Sequence, residues 1–521
     1  GYSVPDNGKD RAPAHIPEIV LREYFLPPFK AAIKAGTHTL MVNSGEVNGI
    51  PLHASKYLLT DVLRTELGFE GVVISDWQDI LKLHERHRVA ATHKDAVLLA
   101  VNAGIDMCIV PFDFSFSNDL IALVKEGKIT EERINASVRR ILHLKMKLGL
   151  FKNPYIEHES KAYFAKPEYK QTAYQAAVEA VTLLKNESGC LPLSAQKRVL
   201  ITGPASHLLS ALHGAWSYSW QGDKEHLYPD TLNTLVEVFV KNKRVRYVPS
   251  VGFKNESWNK NAVIAAAKTS DVVILCLGEA PYAETPGNIP DLAFDSSQTE
   301  LVKAVAATGK PIVVVLLEGR PRIIRDIEPL AKAILTAYWP CSQGAQAIHD
   351  VIYGVFNPCG KLPYTYPRYS GTLSTYDHKL LDEAMEVADP YKYIFEFTPQ
   401  YEFGHGLSYT TFNYDTLQVS PAKWSGENDL KITVQVSNTG SRAGHEVVMV
   451  YTRDLYASVT PPVKRLKRFQ KVLLNPGESK TLTFTLKRED LAFVDEKLQW
   501  IAEPGTFEVM VGNKKKSFVL E

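Results

Sequence analysis

The sequence predicts a multidomain α/β protein that ends in a small β-sandwich. Its 521 residues are too many for one hydrophobic core, so we expect about two to four domains. Up to about residue 410, short runs rich in Val and Ile alternate with segments of helical apolar spacing, as in parallel sheets joined by helices. From residue 411 onward, alternating and β-branched segments follow one another, which is typical of a β-sandwich.

Residues 1–148 are predicted to form the C-terminal part of a (β/α)8 TIM-like barrel. The predicted strands are 38–42, 71–75 and 107–110, and the predicted helices are 19–33, 56–66, 96–103 and 131–148. Since a closed barrel of this kind has eight strands, we expect a preceding N-terminal barrel segment, in the same protein or on a companion chain. That segment would cover sheet edges that native proteins do not leave exposed.

Residues 149–169 are predicted to be a polar linker, residues 170–410 a second α/β domain, and residues 411–521 the β-sandwich. In the second domain the predicted strands are 199–201, 272–277, 312–317 and 333–338, and the predicted helices are 171–183, 262–268, 300–307 and 342–353. Continuously apolar strands predict a parallel sheet covered by helices on both faces, an α/β/α sandwich. The predicted strands of the third domain include 430–436, 446–451, 479–486 and 506–511.

The charge balance and hydropathy exclude several classes of partner. The net charge is +1, from 59 basic and 58 acidic side chains, which provides no field for nucleic acid or an anionic membrane. No apolar run approaches the roughly 18 to 20 residues of a membrane-spanning helix. We therefore expect a neutral or weakly charged ligand.

The cysteines and histidines favour neither a metal site nor a disulfide framework. The five cysteines are scattered, without a Cys-x-x-Cys pair, and their number is odd. Pairing of Cys341 with Cys359 stays open at this level. No histidine pair at helical spacing converges with carboxylates, and no phosphate-loop motif occurs, so no metal or nucleotide cofactor is expected.

The segment Ser75-Asp76-Trp77-Gln78 directly follows the apolar run 71–74. It places the Asp76 carboxylate at the C-terminal end of a buried strand, where (β/α) barrels carry their functional groups. Asp is also a favoured helix cap, and a helical pattern follows from residue 80. From spacing alone, both interpretations of Asp76 stay open.

Several motifs together resemble the three-domain β-glucosidase and exo-β-glucanase type of the family 3 glycoside hydrolases. The matching segments span nearly the whole chain and are 48–51, 58–64, 68–77, 103–107, 185–187, 278–284, 319–321, 354–363 and 403–409. In that family the Asp of the Ser-Asp-Trp segment is the nucleophile, which implies this role for Asp76. The resemblance also implies that the C-terminal β-sandwich is a fibronectin type III-like module.

The segment from Gly278 to Gly287 carries two candidates for a catalytic acid/base. Glycoside hydrolysis with retention uses two carboxyl groups about 5 to 5.5 Å apart, one as nucleophile and one as acid/base. Glu284 matches the acid/base of the exo-glucanase branch of the family, and we favour it over Glu279. Glu279, closer to the strand end, is expected to hold the loop through hydrogen bonds. The usual Gly-Asp at the loop end is here Gly287-Asn288, with Asp291 three residues on, so the anchoring contact of the loop is open.

Aromatic side chains are expected to bind the apolar faces of sugars. Trp77, beside Asp76, is the first candidate. Trp220 is the second, since it matches an aromatic clamp of related exo-glucanases, whereas we expect Trp216 to lie in the core.

Three further residues are predicted to serve the same site. Relatives often carry a Tyr where this chain has Ser44, so the leaving-group side of the pocket is expected to accept bulkier or different sugars. Glu46 either binds a sugar hydroxyl or caps its loop. Arg64, on the helix before the nucleophile strand, is expected to support that strand without touching substrate.

The resemblance implies a retaining, exo-acting β-glucosidase that releases terminal non-reducing β-D-glucosyl residues from β-linked oligosaccharides. The alternatives are a β-xylosidase or another specificity of the family, and a non-catalytic carbohydrate-binding chain that lacks its N-terminal part. A homodimer is possible on the sequence. The function favours a secreted or periplasmic location, although the chain does not set its compartment.

Overall fold

The computed structural model describes residues 4–164, 166–253, 256–371, 374–380 and 399–521. Within it the chain divides into two compact units. The first comprises Gly1–Phe164 with Phe493–Trp500, and the second comprises Ala165–Ala492 with Ile501–Glu521. In the described part of the chain, no helix combines the length and apolar character needed to cross a bilayer.

The first unit is built around a short parallel sheet. Its strands are Thr39–Met41, Val72–Trp77 and Met107–Ile109, with Val72–Trp77 in the centre. The helical segments of this unit are Glu18–Val20, Leu21–Phe25, Leu26–Lys34, Leu52–Ala54, Tyr57–Glu66, Asp79–Glu85, His93–Ala103, Ser115–Lys125, Glu131–Lys147 and His158–Tyr163. Apolar side chains of the central strand and the helices around it form one buried core. Val73, Ile80 and Leu83 of this core are fully buried.

The α-helix Ser115–Lys125 of this unit was not predicted. Ser115–Lys125 packs on the core through Phe116, Leu120 and Leu123. These residues recur at helical spacing, so the signal was present in the sequence. A hairpin of Glu46–Val47 with Ile50–Pro51 completes the described strands of the unit up to residue 164.

The second unit contains a six-stranded sheet within its described residues. Along the sheet the strands are ordered Thr182–Asn186, Ala333–Thr336, Ile312–Leu317, Val272–Gly278, Val199–Thr202 and Val245–Tyr247. All neighbouring pairs are parallel except the first, which is antiparallel. Alternate residues of each strand belong to two separate buried cores, one on each face, so the sheet is covered on both sides as predicted.

The first strand of this sheet corrects the prediction of a helix over 171–183. The helix is Pro167–Ala180, and the chain then enters the strand Thr182–Asn186. A short apolar run such as 181–184 suits either state, and pairing with Ala333–Thr336 decides it. The strand predicted over 333–338 ends at Thr336.

The described residues of the second unit form further helical segments. They are Glu187–Gly189, Leu209–His213, Glu225–Leu227, Leu235–Phe239, Lys260–Lys268, Thr285–Gly287, Ser296–Ala306, Glu328–Leu330, Cys341–Gln343, Gly344–Ile352 and, in the β-sandwich region, Arg488–Leu491. All five cysteines are free, so the open question of a Cys341–Cys359 pair is answered in the negative.

The C-terminal region of the second unit is a β-sandwich. One sheet contains Phe412–Ser420, Leu430–Asn438 and Ser479–Leu486, and the other contains Lys423–Trp424, Gly444–Asp454, Arg465–Leu474, Gly505–Val511 and Lys514–Leu520. Trp424 and Phe518 lie buried between them with the inward residues of both sheets. The two short strands Phe493–Val494 and Trp500–Ile501 pair with each other.

Candidate active site

Asp76 lies inside the strand Val72–Trp77 and does not cap a helix. The next helix, Asp79–Glu85, begins after Gln78, whose side chain makes no capping hydrogen bond. Instead, Oδ1 of Asp76 accepts a 2.6 Å hydrogen bond from the backbone N–H of Trp77. The helix-cap interpretation of Asp76 is therefore wrong, and its carboxylate stands at the C-terminal end of the central parallel strand.

The other oxygen of Asp76 faces a hydroxyl and a cation. Ser44, in the loop that follows Thr39–Met41, donates a hydrogen bond from Oγ to Asp76 Oδ2 at 2.9 Å. A guanidinium nitrogen of Arg11 is 3.9 Å from the same oxygen. The structure therefore brings Ser44 to Asp76, as predicted, and adds Arg11, which was not predicted.

These contacts keep Asp76 ionised. Burial pushes the pKa of Asp76 upward, but the hydrogen bonds from Trp77 and Ser44 and the charge of Arg11 outweigh it, so that the pKa is below its usual value. The side chain is about one-third exposed, at 32%. Asp76 thus combines a negative charge with access to a ligand.

His53 supports the backbone of Asp76 from the buried side. Its Nε2 accepts a 3.3 Å hydrogen bond from the N–H of Asp76. Burial lowers the pKa of His53 to about 4, so the ring is neutral at neutral pH, as an accepting Nε2 requires. The ring proton is then on Nδ1, which is 3.9 Å from the buried Asp79 Oδ2.

Trp77 presents an exposed aromatic surface beside the carboxylate. Its side chain is half exposed, and its ring meets Phe112 edge to face with centroids 5.7 Å apart. An exposed aromatic face next to an ionised carboxylate is the arrangement expected where a sugar ring binds. Phe112 was not predicted to contribute.

Glu46 and Arg64 have partners other than Asp76. Oε2 of Glu46 is 3.5 Å from Nδ1 of the largely buried His87. Arg64 donates to the carbonyl of Gly71, just before the strand Val72–Trp77, at 2.6 Å. It also pairs at 2.5 Å with Asp106, which accepts a hydrogen bond from the first half of that strand. Arg64 therefore holds the start of the strand, in the position predicted for it.

Glu284 is exposed on the loop that leaves the strand Val272–Gly278, and its backbone is unusual. Its φ and ψ are 53° and −144°, a region that non-glycine residues rarely occupy. Such strain persists where neighbouring contacts over-determine the conformation, and it is common at functional sites. Gly278 at the loop root also has a positive φ, of 151°, and a Cβ there would lie 1.8 Å from the carbonyl oxygen of Leu317.

The loop is clamped directly before Glu284. The side chain of Gln221 accepts from the N–H of Ala283 at 2.9 Å and donates to the carbonyl of Ala283 at 3.1 Å. Trp220 is adjacent to Gln221 in the chain, so the predicted aromatic residue is close to the Glu284 loop. The prediction that Trp216 lies in the core is wrong, since 70% of it is exposed, against 47% of Trp220.

Glu279 is buried and held by two cations. Arg320 Nε is 3.2 Å from each oxygen of Glu279, and a terminal nitrogen of Arg322 is 3.1 Å from Oε2. Arg320 also stacks over the ring of Tyr282, 3.8 Å from its centroid. This is the environment of a structural carboxylate, as predicted.

The far end of the loop is anchored by Asp291. Its Oδ1 accepts hydrogen bonds from the N–H of Ala293 at 2.9 Å and from the hydroxyl of Ser370 at 3.0 Å. The carboxylate three residues beyond Asn288 thus supplies an anchor for the segment that the sequence left open.

Three residues that contact Asp76 or the Glu284 loop were not predicted. Arg11 precedes the first predicted helix, His53 is a lone histidine, and Gln221 has no motif of its own. A sequence pattern indicates which residues share an element, but these contacts join separate elements. Among the residues that the structure describes, no group of three His, Cys, Asp or Glu side chains could hold a metal ion.

This chain belongs to glycoside hydrolase family 3. Residues 1–144 match the glycosyl hydrolase family 3 N terminal domain, residues 181–409 match its C-terminal domain, and residues 446–515 match a fibronectin type III-like domain. The predicted family and the three-part fold class are thereby confirmed.

Its relatives carry names of two specificities. It is 40% identical to the lysosomal beta glucosidase of Dictyostelium discoideum, over 100% of this chain and 65% of that protein. It is 33% identical to the periplasmic beta-glucosidase of Salmonella typhimurium (98% of this chain, 70% of the relative) and 34% identical to a beta-xylosidase of Formosa agariphila (99% and 73%). The chain thus spans about two-thirds of the length of the first of these proteins.

Solved structures match the same extent of the chain. The β-glucosidase from Listeria innocua in complex with glucose superimposes with a TM-score of 0.90 at 31% identity, covering 99% of this chain and 72% of that one. A β-glucosidase of Erythrobacter marinus has a TM-score of 0.89 at 32% identity, with coverages of 99% and 72%.

Proposed function

We propose that this chain carries the nucleophile and the acid/base of a retaining, exo-acting β-glucosidase. The observation that carries the proposal is the environment of Asp76: an ionised, accessible carboxylate at the end of a parallel strand, hydrogen-bonded by Ser44 and flanked by Trp77. The substrate class is a terminal β-D-glucosyl residue of a β-linked oligosaccharide.

The reaction proceeds in two displacements. A carboxylate oxygen of Asp76 attacks the anomeric carbon and forms a glycosyl ester, while the glycosidic bond breaks and Glu284 gives its proton to the departing oxygen. Glu284 then takes a proton from water, and that water attacks the anomeric carbon and releases Asp76. Each bond that breaks is matched by one that forms, and Glu284 ends protonated as it began.

The environments of the two glutamates support the assignment of Glu284 as acid/base. Glu279 is buried against Arg320 and Arg322, which donate hydrogen bonds to both of its oxygens. Glu284 is exposed, at the tip of a loop whose preceding residue is clamped by Gln221. A proton donor must reach the substrate, and of the two only Glu284 is exposed.

A β-xylosidase is the second candidate. It is favoured by the similarity to the Formosa agariphila protein of that name. The two specificities differ in whether the pocket admits the C6 hydroxymethyl group of glucose. Initial rates with aryl β-glucoside, β-xyloside and β-N-acetylglucosaminide, at matched leaving groups, rank them directly.

A mechanism-based trap tests the proposed chemistry. A 2-deoxy-2-fluoro-β-glucoside with a good leaving group should inactivate the full-length protein, and peptide mass spectrometry should place the added sugar on Asp76. A label on another carboxylate would overturn the nucleophile assignment. Saturable binding of oligosaccharide with neither label nor turnover would favour the non-catalytic carbohydrate-binding alternative.

A further inference from the structure

Two carboxyl groups leave adjacent strands of the six-stranded sheet side by side. Leu317 pairs with Gly278 in parallel register, and the next residues are Glu318 and Glu279. Both side chains are buried, with exposed fractions of 1% and 9%. Glu279 is the residue at the root of the Glu284 loop.

The compensating cations are directed at only one of these two groups. Arg320 and Arg322 both contact Glu279. Glu318 instead meets the hydroxyl of Tyr366, 2.9 Å from Oε1, and its Oε2 is buried without a hydrogen-bond partner. An ionised carboxylate in this position would be costly, because it would lack a direct cation and would lie beside a second negative charge.

The hydrogen bonds of Tyr366 give an independent argument. Its oxygen is 2.7 Å from the carbonyl oxygen of Arg322 and 2.9 Å from Glu318 Oε1. A tyrosine has one hydroxyl proton, and a backbone carbonyl can only accept. If Tyr366 donates to Arg322, the contact with Glu318 is a hydrogen bond only when Glu318 donates, which requires a protonated carboxyl group.

The surroundings of Glu318 agree with this conclusion. The titratable groups that face it are Glu279, Arg322, Tyr338, Tyr364 and Tyr366. Burial, with Glu279 as a further contribution, raises the pKa of Glu318 to about 8 against the opposing effects of Tyr366 and Arg322.

We propose that Glu318 is a protonated carboxylic acid in the working enzyme and that, through Tyr366 and Arg322, it is a positioning residue for the Glu284 loop. The proton lets Tyr366 hold the backbone of Arg322, whose guanidinium holds Glu279 at the loop root. Loss of the proton would draw the hydroxyl of Tyr366 toward Glu318 and place two negative charges beside Arg322. The loop root would loosen, so the alkaline limit of activity would depend on a group that never touches substrate.

The protonation can be measured without any activity, since the positioning role rests on the proposed function and the protonation does not. Infrared spectra of the full-length protein should contain the C=O stretch of a buried protonated carboxyl at about pH 6, which disappears by about pH 10 and is missing from Glu318→Gln. Tyr366→Phe should shift this band to higher frequency, because the carboxyl loses its hydrogen-bond partner. Absence of the band, or a band that Glu318→Gln retains, would overturn the proposal.

The positioning role is tested by the pH profile of kcat. The substrate is an aryl β-glucoside with a good leaving group, for which proton donation by Glu284 matters little. Glu318→Gln keeps a donor toward Tyr366 and cannot ionise, so it should retain wild-type kcat within about threefold at pH near 6 and extend the alkaline limb by about one pH unit. The control is Glu300→Gln, the same change at an exposed helical glutamate of this domain, which should follow the wild type.

The outcomes separate the two proposals. Coincident alkaline limbs for wild type and Glu318→Gln would overturn the positioning role. If Glu318→Gln fails to fold, Tyr366→Phe replaces it. Its infrared band should shift as stated, and its alkaline limb should move to higher pH, because the ionised Glu318 loses the hydroxyl donor that opposes its raised pKa. A protein that shows the band but hydrolyses no β-glycoside would contradict the proposed function and therefore the positioning role. The protonation of Glu318 would still be supported.

Discussion

The charge of Asp76 is set by a few atoms contributed by neighbouring segments. Partial burial alone would favour the protonated acid, yet the N–H of Trp77 and the hydroxyl of Ser44 stabilise the carboxylate. The family resemblance implies a tyrosine in relatives where Ser44 stands, and here the shorter hydroxyl still reaches Oδ2. Ser44 therefore keeps a hydrogen-bond donor while removing an aromatic ring.

Replacing Asp76, the proposed nucleophile, should stop the proposed reaction without unfolding the protein. We expect Asp76→Asn to lower kcat by at least about 10³-fold, because an amide oxygen does not form the glycosyl ester. The melting temperature should stay within a few degrees of wild type, since the amide keeps its acceptor oxygen for Trp77. Activity above a tenth of wild type would contradict the assignment.

Removing the Ser44 hydroxyl should change the acid side of the pH profile. In Ser44→Ala the carboxylate loses a donor, so the pKa of Asp76 rises and the acidic limb of kcat/KM should move up by up to about one pH unit. Ser117→Ala, at an exposed helical position, is the matched control. An unchanged acidic limb would indicate that the hydrogen bond does not act on the reacting form.

At the scale of elements, the loop from Gly278 to Asp291 matters most, because it carries Glu279 and Glu284. Its root is held by Glu279 with two arginines, its middle by Gln221, and its end by Asp291 with Ser370. These anchors sustain the strained backbone of Glu284.

The two glutamates of this loop should respond differently to the same substitution. Glu284→Gln should leave the rate of glycosylation by aryl glucosides with good leaving groups nearly unchanged and lower it by about 10²-fold or more for those with poor leaving groups. Added azide should restore the deglycosylation rate of this variant. Glu279→Gln should instead reduce stability by about 2 to 4 kcal/mol, because buried arginines lose their anion. Azide rescue of Glu279→Gln, and not of Glu284→Gln, would reverse the assignment.

The clamp on Ala283 offers a test of loop placement. Gln221→Ala removes two hydrogen bonds to the backbone of Ala283, so kcat should fall about tenfold or more while the free energy of unfolding drops by only about 1 to 2 kcal/mol. Gln196→Ala, at an exposed position of the same unit, provides the control. Equal kinetics for the two variants would show that the clamp does not determine loop placement.

At the scale of the whole molecule, one buried group in each unit contributes to stability with an opposite dependence on pH. His53 in the first unit has a pKa lowered to about 4, so between that value and about 6.5 the unfolded state binds the extra proton. Its contribution to stability is present above about 6.5 and is lost as the pH falls to about 4. Glu318 in the second unit has a pKa raised to about 8, so its contribution is present below about 4.5 and is lost as the pH rises to about 8.

Calorimetry of a His53 variant measures the contribution of this residue to the pH dependence of stability. His53→Gln should flatten the gain in stability of the first unit between about pH 4 and 6.5, an effect of up to about 3 kcal/mol. The amide of Gln can still accept from the N–H of Asp76, so the fold should be retained. A wild-type slope in this variant would mean that His53 is not the group that titrates.

Much of the architecture was predictable because it depends on local and periodic features. The continuously apolar segments 272–277 and 312–317 predicted the buried parallel strands, and alternation after residue 411 predicted the sandwich. The first two residues of the strand Thr182–Asn186 were predicted as the end of a helix, since the short apolar run there is compatible with both states until a partner strand is known.

In the candidate site, too, local motifs were predictable and contacts between distant segments were not. The sequence by itself determined the family, Asp76 at a strand end, and the loop that carries Glu279 and Glu284, because ordered motifs along the chain specify these. Only the tertiary structure decided that Ser44 and Arg11 face Asp76, that His53 binds its backbone, and that Glu318 lies beside Glu279 while two arginines form ion pairs with Glu279. Charge and protonation depend on distances of a few ångströms between elements remote in sequence, and packing alone sets those distances.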